Sequence, residues 1–301
     1  MSKVAFVASK PLQILVCISI IDEAMNHSDV DLIITNDFYD SENIVQKLKE
    51  HLKIAAIRNI LYFENQSLAY SYLATNHYSN IFIDSDVGFK RYLELLRIKI
   101  NNISTQILVY EEGLGTYRND IYKTNSISSR IKVGLLMAVG VGVVFGGNFL
   151  TKSIFLFSPN EYCPIQKKNT GVVLIKNTVE QTITKFELAL SSVFNPQTDL
   201  VSALAVRPNT CTIYLSSWTI SDKFLARLVC ARDLIIIKLH PHIKTKPNPL
   251  LGCIYIHHSM PAEILLTIAS KYCDSITVFH HGTSATRYIS RQNIKYKLIE
   301  D

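Results

Sequence analysis

Four short clusters in the 301-residue sequence combine side chains that move protons or hold anions. Glu111-Glu112-Gly113-Leu114-Gly115-Thr116-Tyr117 sets two adjacent carboxylates ahead of glycines, so that an acid can approach a ligand closely. Successive residues of an extended chain face opposite ways, so one acid enters a cleft while its neighbour anchors the loop. A carboxylate in a partly dry cleft has a raised pKa and can take a proton from a hydroxyl nucleophile. By itself the pair also fits an exposed acidic turn. His240-Pro241-His242, with Lys244 and Lys246 behind it, supplies imidazole and ammonium groups suited to a departing phosphate. His280-His281-Gly282-Thr283-Ser284-Ala285-Thr286 offers hydroxyls and backbone amides ahead of a helix start that favours phosphate, and Ser216-Ser217 contributes likewise. His280-His281 and His257-His258 have no carboxylate or cysteine at ligand spacing, so no metal site is expected there.

The elements that must position these clusters follow from hydrophobic patterning. Apolar runs at Val4–Val7, Asp31–Thr35, Ile60–Phe63, Ile81–Ile83, Gln106–Tyr110 and Ile154–Phe157 alternate with helix-like stretches at Leu12–Ala24, Asp40–Leu52, Leu68–Thr75 and Gly88–Ile98. After Pro and Asn punctuation at Ser158–Pro164, the scheme repeats. Strands are predicted at Val172–Ile175, Thr212–Leu215, Leu234–Leu239, Ile254–His257 and Ser275–Phe279, with helices at Val179–Val193, Ser221–Ala231 and Ala262–Ala269. Such βαβ alternation predicts an α/β protein of two Rossmann-like, doubly wound domains, residues 1–160 and 161–301, facing across a cleft. Each polar cluster falls just after a strand, where ligands sit in such folds.

Composition narrows the partners. A hydrophobic share of 48% with 19% charged residues excludes a disordered chain. The net charge of +6 suits an anionic partner such as a nucleotide, an acidic sugar or an acidic membrane surface. No arginine-rich stretch or nucleic-acid-binding motif accompanies that charge, so a nucleic acid is not expected. Six scattered cysteines and the absence of a signal-peptide pattern at the start point to a reducing, cytoplasmic setting. Val133–Phe149 is nearly continuous apolar chain with five glycines, a load that weakens a spanning helix. A buried helix and glycine turn is the favoured reading; a surface that dips into the membrane interface or receives a lipid-linked substrate is the other.

The order of these motifs resembles the bacterial sialyltransferases of glycosyltransferase family 52 and, more loosely, the bacterial polysialyltransferases. The resemblance rests on Ser9-Lys10-Pro11-Leu12-Gln13, Glu111-Glu112-Gly113, His240-Pro241, Pro261-Ala262-Glu263 and Thr283-Ser284, which span nearly the whole chain. Departures are Lys10 in place of a hydroxyl residue, a Glu-Glu pair where a shorter acid is commoner, and the His280-His281 pair. What the resemblance implies is a GT-B architecture, CMP-sialic acid as donor, no metal or other cofactor, and a galactose-containing surface glycan as acceptor. That glycan would be built on a lipid at the inner leaflet, by an enzyme peripheral to the membrane and homodimeric. Carried over, Glu112 is the general base with Glu111 in support, and His240 binds or protonates the leaving phosphate. Pro241, Ser216, Ser217, Gly282, Thr283 and Ser284 line the donor side; Ser9, Gln13 and Gly113 serve the acceptor. Other readings are a transferase using another CMP-linked or UDP-linked sugar, a hydrolase or epimerase of nucleotide sugars, and a non-catalytic glycan- or nucleotide-binding protein on the same scaffold.

Overall fold

The computed structural model describes residues 2–122, 124–166, 170–194, 198–206, 209–218, 224, 225, 228, 234–243, 252–256 and 258–299. The chain divides into two compact units, Met1–Asn36 with Lys53–Thr178, and Asp37–Leu52 with Val179–Asp301.

In the first unit the apolar runs become β1 (Ser2–Ala8), β2 (Ser28–Thr35), β3 (Ile57–Phe63), β4 (Asn80–Ile83), β5 (Gln106–Tyr110), β6 (Thr151–Leu156) and β7 (Gly171–Leu174). They form one parallel sheet in the order β3-β2-β1-β4-β5-β6-β7. Central strands covered on both faces need continuous apolar sequence, and β1 is buried without a break from Val4 to Ala8. Helices α1 (Pro11–Ala24), α3 (Gln66–Thr75) and α4 (Phe89–Asn101) make crossovers, while α2 (Ser41–His51) sits on the excursion that belongs to the second unit. Chain direction reverses its progress across the sheet between β1 and β4, which makes their carboxyl ends the switch point.

The second unit holds α6 (Val179–Lys185), α7 (Glu187–Phe194), α8 (Thr198–Val206), α9 (Ala262–Tyr272) and the one-turn α10 (Ala285–Tyr288). Its strands are β8 (Thr210–Leu215), β9 (Leu234–Lys238), β10 (Cys253–Ile256), β11 (Ser275–His280) and β12 (Ile294–Leu298), parallel in the order β10-β9-β8-β11-β12. The switch point here lies between β8 and β11. The α/β class with two doubly wound, Rossmann-like units of the GT-B type is thus present.

Several local expectations differ from what forms. The strand at Val172, read as the first of the second half, is the seventh of the first sheet, because it pairs in parallel with β6. The single helix expected over Val179–Val193 breaks at Phe186 into α6 and α7. Between α7 and β8, where the patterning predicts no element, α8 forms. Of the helix expected over Ser221–Ala231 only Phe224, Leu225 and Leu228 are described, all helical.

Val133–Phe149 splits into two unlike halves. Its first part continues α5 (Ile127–Ala138), of which only Val133 is buried, so the buried-helix expectation fails there. Gly140, at φ +83°, then reverses the chain; a Cβ on it would meet Phe149 Cβ at 2.7 Å. Residues 141–148 are all buried, and their backbone groups need partners inside the protein. Asp86 supplies them: its carboxylate accepts from Gly146 N at 2.9 Å, Asn148 N at 3.0 Å and Thr151 Oγ1 at 2.7 Å. Gln166 accepts from Val143 N at 2.9 Å and donates to Val141 O at 3.1 Å. Among the described residues no helix is long and apolar enough to cross a membrane.

Asp86→Ala would remove the carboxylate that three buried donors share. The expected cost is about 2–4 kcal/mol of unfolding free energy by denaturant titration, and a change below about 1 kcal/mol would show that Asp86 does not hold the loop.

Candidate functional site

The first unit gathers polar side chains at its switch point. β1 delivers Ser9, Lys10 stands at the N-cap of α1 and Gln13 in its first turn; β4 delivers Asp84, and β5 delivers Glu111 and Glu112. Gln13 is fully buried and links the three strand ends. Its Oε1 accepts from Ser9 N at 2.6 Å, while Nε2 donates to Asp84 Oδ2 at 3.1 Å and Glu112 Oε2 at 3.4 Å. Ser9 Oγ donates to Asp84 Oδ2 at 2.8 Å. Lys10 Nζ reaches Glu112 Oε2 at 2.9 Å. Lys10 thus pairs with the second acid of the Glu111-Glu112 pair.

The two acids of that motif face opposite ways. Glu111 is fully buried, and its Oε2 accepts from Phe157 N at 2.8 Å and from the Tyr117 hydroxyl. It ties the end of β5 to the end of β6. Glu112 keeps 17% of its side chain exposed and donates its backbone N–H to Thr116 Oγ1 at 2.9 Å. Gly113 turns the chain at φ +125°, and a Cβ on Gly115 would meet Glu112 Oε1 at 2.8 Å, so Gly115 makes room for that carboxylate. Chemically, the arrangement offers a reachable carboxylate beside one ammonium group, a buried amide and a second acid, Asp84.

In the second unit β8 lies between β9 and β11, so the loops after these strands emerge side by side. His240 donates its backbone N–H to Ser216 Oγ at 2.9 Å, and its Nδ1 accepts from His242 N at 3.3 Å. That acceptor role leaves the proton of a neutral ring on Nε2. Pro241 O accepts from Tyr39 N at 3.3 Å, which fastens the turn to the residues leading into α2. Trp218 is two-thirds exposed and stacks on His242, with centroids 4.5 Å apart at 10°, and on His240 at 4.9 Å and 26°.

Beneath this turn Lys238 is buried, with Nζ donating to His258 O at 3.0 Å and to Leu239 O. Burial pulls the Lys238 ammonium down to about 7, opposed by the nearby Glu263 charge. Glu263, in the first turn of α9, is pushed up to about 7 by burial, opposed by its backbone hydrogen bond and Lys238. The pair underlies the His240 loop from within.

The Ser/Thr-rich loop is arranged differently from the sequence expectation. Gly282 N at 3.0 Å and Thr283 N at 3.4 Å both point back to His280 Nδ1, and Thr283 Oγ1 accepts from Ala285 N at 3.3 Å. These amides are therefore engaged within the loop. The helix that Ser284 precedes has a single turn, too short for a substantial dipole. Burial, reinforced by His281, holds His280 below the usual imidazole range and so favours the neutral acceptor. Ser217 is half-buried next to Ser216, and Lys244, Lys246 and His257 lie outside the described residues.

Asp84 and Trp218 are site residues that sequence reasoning passed over. Asp84 directly follows an apolar strand, as Glu111 does, so the same after-strand signal was present. Trp218 is the single tryptophan and lies two residues after Ser216. Among the described residues no cluster of three or more His, Cys, Asp or Glu is placed to hold a metal ion.

No protein-family model matches the chain, and no curated protein matches its sequence. Among solved structures, it is similar to the UDP-GlcNAc 2-epimerase of Methanocaldococcus jannaschii, crystallised with UDP-GlcNAc and UDP. The TM-score is 0.55 at 12% identity, over 95% of this chain and 80% of that one, a likeness that carries the fold.

Proposed function

We propose that the chain is a metal-independent, inverting glycosyltransferase of nucleotide sugars, with CMP-sialic acid as donor and a galactose-containing glycan as acceptor. The observation that carries this reading is the division of labour in the Glu-Glu pair: Glu111 is sealed into the β5–β6 junction, whereas Glu112 stays reachable beside Lys10 and Gln13. The family resemblance supports the choice of donor, and the similarity to an epimerase crystallised with UDP-GlcNAc and UDP supports a nucleotide sugar in general.

In this reading Glu112 takes the proton of the acceptor hydroxyl as its oxygen attacks the anomeric carbon. The bond from that carbon to the phosphate oxygen breaks with inversion, and CMP leaves with the electron pair. His240 donates from Nε2 to the departing phosphate, its Nδ1 being occupied by His242 N. Ser216, Ser217, Thr283 and Ser284 hold the donor, while Ser9, Gln13 and Asp84 orient the acceptor and Glu112. Trp218 gives the base or sugar ring a flat face already braced by two imidazoles. A second reading, an epimerase or hydrolase of UDP-sugars, draws on the same structural likeness.

The deciding assay incubates the protein with CMP-sialic acid and lactose, with EDTA present, and separately with UDP-GlcNAc alone. Acceptor-dependent CMP release with a sialylated product is expected; conversion of UDP-GlcNAc with no CMP release would favour the second reading. Glu112→Gln is expected to cut turnover by about 10²–10⁴-fold with donor affinity unchanged. Glu111→Gln is expected to act mainly on stability, because it weakens buried acceptors. Equal turnover losses at matched stability would refute that division. For Trp218→Ala, calorimetric titration is expected to show CMP binding weakened about tenfold, the scale of one lost base–aromatic stack. Unaltered affinity would remove Trp218 from the nucleotide site.

A further inference from the structure

Helix α5 (Ile127–Ala138) presents an apolar face that nothing within its own unit covers. It starts from a capping box, with Ser126 Oγ accepting from Ser129 N at 3.1 Å and Ser126 N donating to Ser129 Oγ at 3.1 Å. Ile127, Ile131, Leu135 and Val139 recur every fourth residue, and each is more than half exposed. At about 100° per residue they form a continuous stripe with Gly134 and Ala138, both exposed as well. Phe149 extends it: its ring is exposed and its backbone N–H donates to Gly140 O at 2.8 Å, just past the helix end.

The charges around the stripe are of one sign. On the same wheel Arg130 falls just before the apolar arc and Lys132 just after it, and both are exposed. Between Asp120 and Glu161 the sequence has no Asp or Glu, while it has Lys123, Arg130, Lys132 and Lys152. A two-fold contact of this face with itself brings each patch against its own copy and sets like charges together. An anionic lipid surface meets both requirements, since acyl chains receive the apolar arc and headgroups receive the flanking cations. No described helix can span a bilayer, so the contact is interfacial.

We infer that the α5 face, with Phe149, docks the protein on an anionic phospholipid surface. The inference does not depend on the transferase reading, and its test involves no turnover. Flotation with phosphatidylcholine vesicles, with and without phosphatidylglycerol, is the experiment. Binding is expected only to the vesicles containing phosphatidylglycerol, and it should weaken as salt rises. Ile131→Glu with Leu135→Glu is expected to abolish it, with the unfolding temperature held because both positions are exposed. If that variant folds poorly, Arg130→Gln with Lys132→Gln, which leaves the apolar arc intact, is expected to weaken binding about tenfold. Absence of flotation at low salt, or equal flotation of both variants and wild type, would overturn the inference. So would a vesicle-indifferent dimer that the Glu variant converts to monomer, which would make this face a contact between copies.

Discussion

A parallel sheet wound in both directions has one place where neighbouring strands lead away to opposite sides, and in the first unit β1 and β4 meet there. Their pairing, Val4 with Asn80 through Phe6 with Phe82, lets Ser9 and Asp84 meet just past the strand ends. Both are buried, and a buried carboxylate must be hydrogen-bonded to persist. Ser9 Oγ and Gln13 Nε2 meet that need, and Gln13 then has a second amide hydrogen directed at Glu112. The position of Glu112 therefore depends on strand order through one amide side chain. Lys10, at the N-cap of α1, adds the compensating charge that two acids at one strand junction require.

Hydrogen-bond partners sort the carboxylates of this region into two kinds. Asp86 and Glu111 are sealed, and their oxygens serve backbone N–H groups of loops that have no sheet or helix to satisfy them. Asp84 and Glu112 instead bond to side chains at the strand ends. In the second unit, Lys238 plays the part of Asp86 with the opposite sign: a buried ammonium donates to the carbonyls of Leu239 and His258. Glu263 offsets it electrostatically from α9. In each unit, then, a buried charge fixes loop backbone and leaves a neighbouring polar group, Glu112 or His240, nearer the surface.

The strands were legible because sheets covered on both faces require unbroken apolar runs, and β1, β2, β8 and β9 supply them. The edges were harder to read. β12 alternates Lys with apolar residues and so lacks the signature of a buried strand, whereas β7 is an apolar run that reads as a strand although it is exposed along its whole length. Which sheet an edge strand joins depends on pairing partners far away in the chain, information that local pattern lacks. At the site, adjacency in an extended chain revealed that Glu111 and Glu112 diverge, but not which of them turned inward. That choice came from Tyr117 and Phe157, six and forty-six residues away from Glu111. Asp84 carried the same after-strand signal and was missed only because a single acid after a four-residue strand is inconspicuous.

Val133–Phe149 shows why composition alone could not separate core from surface. The α5 end of the segment and residues 141–148 are equally apolar, yet the helix is largely exposed and residues 141–148 are sealed. What distinguishes them is the supply of hydrogen-bond partners. An α-helix satisfies its own backbone and can leave an apolar face outside, at no polar cost. An irregular glycine-rich turn cannot, and it enters the interior only where Asp86 and Gln166 meet its amides and carbonyls. The exposed helix face is accordingly a property of sequence that the fold's polar accounting does not require. Its one-signed flanks, with Arg130 and Lys132 at the two edges, then give that face a chemical preference that a merely uncovered apolar surface lacks.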